Sequence, residues 1–326
     1  LALYNREFAS AETLLQEATT IRSEALGDED SLTLSSMHDL GRCLQVLGKH
    51  DEAESLLHQV YQLHRAQLGE EAMMTLTVQG DLGTLLAQIG RRQEARCHLE
   101  AAAKGKEALA PTAPNTLSSW NNLASFLQDE GDLDEAEQIY LRVLAVLIAE
   151  LGEDQWLSIG ARNNLATLYG QRGELDRASE QLELALGSTI RRLGPNHPNT
   201  LRVEKNLAGA LFASGRFRDA EPHYGNVWAG LTPQLPPNHP ILLQLASKLC
   251  ELHIRLGQHE QSRPFLDHAL RAIGGGPSIP PPPVLQVANN LASVLLEASD
   301  AEGSRALYQY CRSAWADPSD WKHHWA

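Results

Sequence analysis

The sequence predicts an all-α protein, a right-handed superhelical solenoid of antiparallel helix pairs. Six glycines recur at steps of 42, 41, 42, 42 and 42 residues, and they are Gly48, Gly90, Gly131, Gly173, Gly215 and Gly257. A small residue follows each glycine by five positions, as Ala53, Ala95, Ala136, Ala178, Ala220 and Ser262. Apolar side chains on both sides of these glycines recur at helical spacing. One period over almost the whole chain indicates a stack of identical supersecondary units.

The first helix of each unit is clearest in the segment before Gly131. Trp120, Leu123, Ala124 and Leu127 stand at i, i+3, i+4 and i+7, which is the apolar stripe of an amphipathic helix. A glycine at the end of such a stripe is typical of a helix terminus. We therefore expect a first helix that ends at Gly131.

The second helix of the unit follows that glycine at once. Leu133, Ala136, Tyr140, Val143 and Leu144 again share one helical face. The small residue at the position of Ala136 recurs in the other units, and we expect it to allow close approach of the two paired helices.

A loop with a recurring sequence separates one unit from the next. It reads Leu-Gly-Pro-Asn-His-Pro-Asn-Thr over 193–200 and returns in altered form in the other units. Glycine ends the preceding helix, proline prevents its continuation, and the threonine is placed to cap the next helix. His197 and His239 belong to these loops, which favours a turn role for them over a catalytic one.

The chain divides by composition into four parts. Residues 1–273 are the array, 274–283 a Gly/Pro-rich linker, 284–316 a degenerate terminal repeat or cap, and 317–326 a Trp/His-rich tail. The first repeat is truncated: Ala11 is its second-helix alanine, so Leu1 to Tyr4 are expected to end its first helix. This favours a piece of a longer protein. The aromatic C-terminal end either closes the stack or offers a second docking or self-association surface.

The motifs as a set resemble tetratricopeptide repeats. These motifs are Asn-Leu-Ala in the first helix, the glycine turn, Glu-Ala-Glu in the second helix and the Leu-Gly-Pro-Asn-His-Pro loop. The 42-residue period is similar to that of the kinesin light chain subtype, and the resemblance covers about residues 1–315. It implies a fold and not an activity, because one fold hosts many functions. The chain lacks the heptad coiled coil that joins a kinesin light chain to its motor.

Composition excludes several classes of partner. The net charge of −14 argues against nucleic acid, which requires a basic surface. No apolar run reaches the length of a membrane span, and no signal peptide is visible. Four scattered cysteines favour reduced thiols in a cytoplasmic protein over a disulfide framework or zinc site, and they are Cys43, Cys97, Cys250 and Cys311.

Motifs for catalysis are absent from the sequence. There is no GxxxxGK[ST], no GxGxxG after a strand, no GxSxG and no HExxH. The acidic residues that follow each glycine suit the positive end of a helix dipole. We therefore expect no enzyme activity, no metal and no cofactor.

Polar residues on the other face of the first helices are the candidate binding site. The resemblance implies that this stripe lines the concave groove and contacts a ligand. The candidate residues are Asn121, Asn122, Ser125, Asn163, Asn164, Thr167, Arg202, Lys205, Asn206, Lys248 and Arg255. Equivalent positions in the first units hold His38, Asp39, Arg42 and Asp81.

Asparagine is a poor helix former, so its recurrence at Asn122, Asn164 and Asn206 requires a reason. An amide side chain can hold a peptide by its backbone C=O and N–H. The alternative is that these amides tie neighbouring helices together. The stripe is acidic early and basic late, at Arg202 and Lys248, which would orient a bound segment that carries an acidic group.

The sequence thus predicts a non-enzymatic scaffold that binds an extended peptide segment of a protein partner. The alternative is a regulatory or sensor domain from a larger signalling protein, with a kinase, ATPase or transcription factor N-terminal to it. Neither reading involves nucleic acid or membrane.

Overall fold

The computed structural model describes residues 2–274 together with residues 296 and 305. The predicted linker beyond residue 274, the degenerate last repeat and the Trp/His-rich tail otherwise lie outside the described residues. Residues 2–274 form thirteen α-helices, and no strand occurs in that range. The all-α fold class is confirmed.

Six helix pairs follow a single leading helix. The helices are α1 (Ala2–Leu26), α2 (Ser31–Val46), α3 (His50–Leu68), α4 (Met73–Gln88), α5 (Arg92–Leu109), α6 (Pro114–Glu130), α7 (Leu133–Leu151), α8 (Trp156–Arg172), α9 (Leu175–Leu193), α10 (Pro198–Ala213), α11 (Phe217–Leu231), α12 (Pro240–Arg255) and α13 (His259–Gly274). Even-numbered helices are the first helices of the repeats, and the odd-numbered ones from α3 onward are the second helices.

Each pair turns at the glycine that the sequence marks. All six turn glycines have a positive φ, between 71° and 90°. Residues with a Cβ adopt this backbone conformation only at a cost in free energy. At Gly131, the amides of Gly131 and Asp132 donate to the carbonyls of Gln128 and Leu127, at 3.1 and 2.9 Å. These bonds satisfy carbonyl groups that the end of α6 would otherwise leave unpaired.

The five alanines at the recurring small position of the second helices lie in the core. Ala53, Ala95, Ala136 and Ala220 are 0% exposed, and Ala178 is 2% exposed. A buried position of this kind has no room for extra methylenes without moving a helix. The packing role predicted for these alanines is confirmed.

The start of the chain differs from the sequence prediction. α1 runs without a break from Ala2 to Leu26, so Ala2 to Tyr4 do not belong to a separate first helix, and Leu1 lies outside the described residues. The position that holds the turn glycine in later repeats holds Arg6 here. Without glycine, the backbone at this point remains helical.

The helix caps also differ from the prediction. Thr200 lies inside α10, and its hydroxyl donates to the carbonyl of Gly194 at 2.8 Å. The N-cap of α10 is His197, whose Nδ1 accepts from the amide of Asn199 at 3.1 Å. His239 caps α12 in the same way, at 3.3 Å from the amide of Ile241. The prediction that threonine caps the next helix is therefore wrong, and the loop histidines have a structural role.

The chain forms two compact units, Leu1–Leu168 and Tyr169–Ala326. In the first unit each helix from α1 to α7 packs on the next, and the first helices α2, α4 and α6 also contact one another. In the second unit α9 to α13 pack in sequence order. Among the described helices, none combines the length and apolar character needed to cross a membrane.

Candidate functional site

The polar face of the first helices carries direct hydrogen bonds from one repeat to the next. His38 Nε2 on α2 lies 2.7 Å from Asp81 Oδ2 on α4. Further along the first unit, Asn164 Nδ2 on α8 donates to Asn121 Oδ1 on α6, at 2.8 Å. We call these two bonds rungs. Each rung joins residues 43 positions apart, one more than the repeat period.

Asn122 stands at a rung position and has no rung. The equivalent of His38 and Asn121 in the repeat before it is Gly80, which has no side chain. The Asn122 side chain is exposed, and it makes no hydrogen bond to any described residue. The amide of Asn122 is therefore available to an external donor and acceptor.

The predicted residues of α8 interact mainly with their own helix. Asn163 Nδ2 donates to the carbonyl of Ile159, and Thr167 Oγ1 donates to the carbonyl of Asn163, both at 2.9 Å. Asn164 is bound in its rung, so all three predicted residues of α8 form hydrogen bonds within the protein. The two explanations for the asparagine stripe therefore divide by residue: Asn164 ties helices together, whereas Asn122 is accessible.

Two pockets flank Asn122, and both are lined by it. The first, which we call the α6/α8 pocket, has a volume of about 160 Å³. Its apolar lining consists of Leu117, Val143, Leu147, Trp156, Leu157 and Ala161. Trp156 is 40% exposed, whereas Leu147 is 2% exposed. The pocket is therefore an apolar depression whose tryptophan remains accessible to solvent.

The second, the α4/α6 pocket, has a volume of about 330 Å³ and a polar lining. Its charged residues are Arg92, Asp129 and Glu130. Arg92 forms an ion pair with Glu130. Asp129 is exposed and makes no ion pair or hydrogen bond with the described residues. Ser125, a predicted site residue, also lines this pocket.

The second unit contains the predicted basic residues on α10 and α12. Arg202 and Asn206 are exposed and Lys205 is half-buried, and none of them has a polar partner in the described part of the chain. Lys248 differs, because its Nζ lies 2.9 Å from Glu251 Oε2 and 4.8 Å from the centre of the Phe212 ring. Arg255 lies in the last turn of α12 and is exposed.

Sequence reasoning missed a set of basic residues on the odd-numbered helices α1, α3 and α5 of the first unit. Arg22, His64 and Lys106 recur every 42 residues. Arg22 and Lys106 donate to serine hydroxyls of the next first helix, and the Lys106 Nζ bond to Ser119 Oγ is 2.9 Å long. His64 is 4% exposed, and both of its ring nitrogens are buried without a partner. The 42-residue period alone would have identified these positions.

Burial shifts the pKa of two members of this set, His64 and Lys106. Desolvation lowers the pKa of Lys106, although the nearby carboxylate of Asp81 raises it. Desolvation also lowers the pKa of His64, and its electrostatic interaction with His38 lowers this pKa further. In both groups, burial disfavours the protonated, charged form relative to the neutral form, which is typical of buried bases.

The described residues contain no group of three or more histidine, cysteine, aspartate or glutamate side chains that could hold a metal ion. The polar groups on the first helices include amides, hydroxyls, imidazoles and charged side chains. This arrangement suits binding through hydrogen bonds and ion pairs.

Comparison with known proteins identifies the family. The tetratricopeptide repeat family matches residues 1–56, 40–108, 115–189 and 157–225. The chain is a tetratricopeptide repeat protein. No curated protein matches its sequence. Repeats of this family mediate interactions between proteins, which is the function class that membership indicates.

Solved structures of three repeat proteins resemble this tetratricopeptide repeat protein. It is 28% identical to the nearly identical TPR-like repeats of a Podosopora anserina protein assigned as a kinesin light chain, over 61% of this chain and 95% of that one, with a TM-score of 0.56. BtubC (BKLC) from P. vanneervenii is 19% identical over 69% of this chain and 90% of its own, with a TM-score of 0.58.

The third is the apo form of the quorum sensor NprR from B. thuringiensis. It is 14% identical over 96% of this chain and 86% of its own, with a TM-score of 0.63. The last two structures share the fold alone. The resemblance of the repeat to the kinesin light chain-like subtype is confirmed.

Proposed function

We propose that this tetratricopeptide repeat protein is a non-enzymatic cytoplasmic scaffold that holds an extended peptide segment of a partner on its first helices. The observation that carries the proposal is the unbonded amide of Asn122, which is exposed between two pockets. An amide in this position can accept from one peptide N–H and donate to one C=O, whatever the side chains of the segment are.

The second unit supports an acidic group on the partner. Arg202 and Lys205 are cations without an intramolecular partner, whereas Lys248 already has Glu251. A carboxylate near Arg202 and Lys205 would gain complementary charge without breaking an existing ion pair. We infer that Lys248 contributes less than these two residues.

The test begins with selection from a displayed library of random 12-residue peptides on the immobilised protein. Enriched peptides are then measured by fluorescence anisotropy against the variant with Asn122→Ala and Asn206→Ala. We expect at least tenfold weaker binding with an unchanged melting midpoint, because lost peptide hydrogen bonds of about 1–1.5 kcal/mol affect only the complex. Asn238→Ala, in an exposed loop, is the control and should bind normally.

Charge is tested separately. Lys205→Glu should slow association of the enriched acidic peptides, and wild-type affinity should fall as salt rises. Suppose instead that enriched peptides bind the double asparagine variant as tightly as wild type, with no dependence on salt. The peptide-binding site would then lie elsewhere than on the first helices.

A further inference from the structure

We propose that the first unit selects a short side-chain signature, an apolar residue and a lysine or arginine separated by one residue. This inference rests on the proposed function and adds the chemistry of the segment to it. It comes from the contrast between the two pockets on either side of Asn122.

The α6/α8 pocket suits one apolar side chain. Its volume of about 160 Å³ is below the roughly 300–1,000 Å³ of pockets for small-molecule ligands. Leu117, Val143 and Leu147 are buried in its lining, and the exposed Trp156 adds an aromatic surface. Gly160 also lines the pocket, and a Cβ added there would meet no atom within 4 Å. An apolar side chain of a bound peptide would be favourably removed from water in this pocket, and it would displace no polar group of the protein.

The α4/α6 pocket suits a long basic side chain. Among its lining residues Arg92 is the one cation, and it is already paired with Glu130. Asp129 is therefore left as an unpaired carboxylate at an exposed position. A lysine or arginine that enters the pocket balances this charge, whereas an acidic side chain would be repelled by it.

The spacing of the signature follows from Asn122. In an extended segment, residues i and i+2 point to the same side and lie about 6.5–7 Å apart. Asn122 lines both pockets, so its amide can hold the backbone N–H and C=O of the residue between them. The middle side chain then points away from the protein and is not selected. The order of the two selected residues reports the direction of the bound segment.

The experiment uses the same library of random 12-residue peptides, selected on the whole protein and on variants. Enriched peptides from wild type should contain an apolar residue and a lysine or arginine two positions apart. Asp129→Asn should remove the preference for the basic residue and keep the apolar one. For a defined enriched peptide, changing its basic residue to serine should weaken binding about two- to fivefold, as for a lost ion pair with an exposed carboxylate.

Two variants fill the apolar pocket from different helices, so that a folding defect in one does not decide the result. Gly160→Leu on α8 and Ser118→Leu on α6 should each remove the apolar preference and keep the basic one. Matched controls lie outside both pockets: Gly225→Leu, where an added Cβ also meets no atom within 4 Å, and Asp267→Asn, an exposed aspartate of α13. Both controls should retain the full signature.

The outcomes separate this inference from the proposed function. Peptides that need Asn122 but lack the two-position spacing, or that keep the spacing in Asp129→Asn and Gly160→Leu, overturn the signature alone. A selection that enriches no peptide, or peptides that ignore Asn122→Ala, overturns the signature and the peptide-binding proposal together.

Discussion

At the scale of single residues, side chains at equivalent positions have different roles because their partners differ. Asn164 and Asn122 occupy the same place in successive first helices. Asn121 precedes Asn164 by one repeat and accepts its hydrogen bond, whereas Gly80 precedes Asn122 and offers nothing. The availability of Asn122 is therefore a consequence of a glycine in the neighbouring helix.

The same reasoning applies to the buried basic residues of the first unit. Lys106 has the hydroxyl of Ser119, whereas the position that faces His64 in the next first helix holds Val78. Val78 is 0% exposed and cannot accept a hydrogen bond. The ring nitrogens of His64 are thus buried without a polar partner from the protein, which costs stability.

We expect His64→Leu to stabilise the protein. Leu147 occupies the equivalent position two repeats later and is buried, so leucine fits this place in the repeat. Removing a buried polar group without a partner should gain about 1 kcal/mol at pH 7.5, measured as a shift of the urea midpoint.

The gain from His64→Leu should grow at acidic pH. The folded-state pKa of His64 lies below its ordinary value of 6.5. The unfolded chain therefore binds the proton more readily, and wild type loses stability as the pH falls below about 6.5. Desolvation lowers the pKa of His98 in the same direction, so His64→Leu should reduce the pH dependence and not abolish it. A variant that is less stable than wild type at pH 5.5 would contradict this account.

At the scale of helices, the alanines at the pair interface determine how closely two helices approach. Ala136 on α7 is 0% exposed. We expect Ala136→Leu to destabilise by about 1–3 kcal/mol in urea unfolding, because the larger side chain forces α6 and α7 apart. Ala145→Leu on the exposed face of the same helix is the control and should stay within about 0.5 kcal/mol of wild type. Equal midpoints for the two variants would mean that the interface lies elsewhere on α7.

Helices and turns could be predicted from the sequence because local chemistry determines them. Glycines at 42-residue steps adopt the positive φ that their residue type permits, and the apolar stripes form the buried faces. The boundary at the start of α1 could not be predicted from the period, because Arg6 does not break the helix. The prediction of a threonine cap is wrong because the local sequence does not determine which group a hydroxyl binds. A hydroxyl near a helix start can bond forward or backward, and Thr200 bonds backward to Gly194.

The candidate site could be predicted only in part. The repeat period identifies equivalent residues, and it therefore assigns Asn122, Asn164 and Asn206 to the same candidate site. Contacts between repeats join non-equivalent residues, since Asn121 bonds to Asn164 with an offset of one position. That offset depends on how neighbouring helices lie side by side, and the sequence period does not contain it. The pockets depend on the same packing.

At the scale of the whole molecule, contacts are dominated by neighbours in sequence. Consecutive helices from α1 to α7 and from α9 to α13 pack on one another within their own units. The free energy of unfolding of such a protein is close to a sum of the stabilities of single repeats and of the interfaces between neighbouring repeats. A globular domain with one shared core differs in this respect. Damage to one repeat should therefore remain local.

Hydrogen exchange followed by mass spectrometry tests this expectation with one variant in each unit. Ala136→Leu lies on α7 in the first unit and Ala220→Leu on α11 in the second, and both alanines are 0% exposed. We expect Ala136→Leu to lower amide protection mainly in α6 and α7, and Ala220→Leu to lower it mainly in α10, α11 and α12. The reason is that local opening follows the helices whose contacts are weakened. Ala145→Leu should leave the protection pattern of wild type. If either buried variant instead lowers protection equally in all thirteen helices, the chain unfolds as one cooperative unit, and the additive description of the array is wrong.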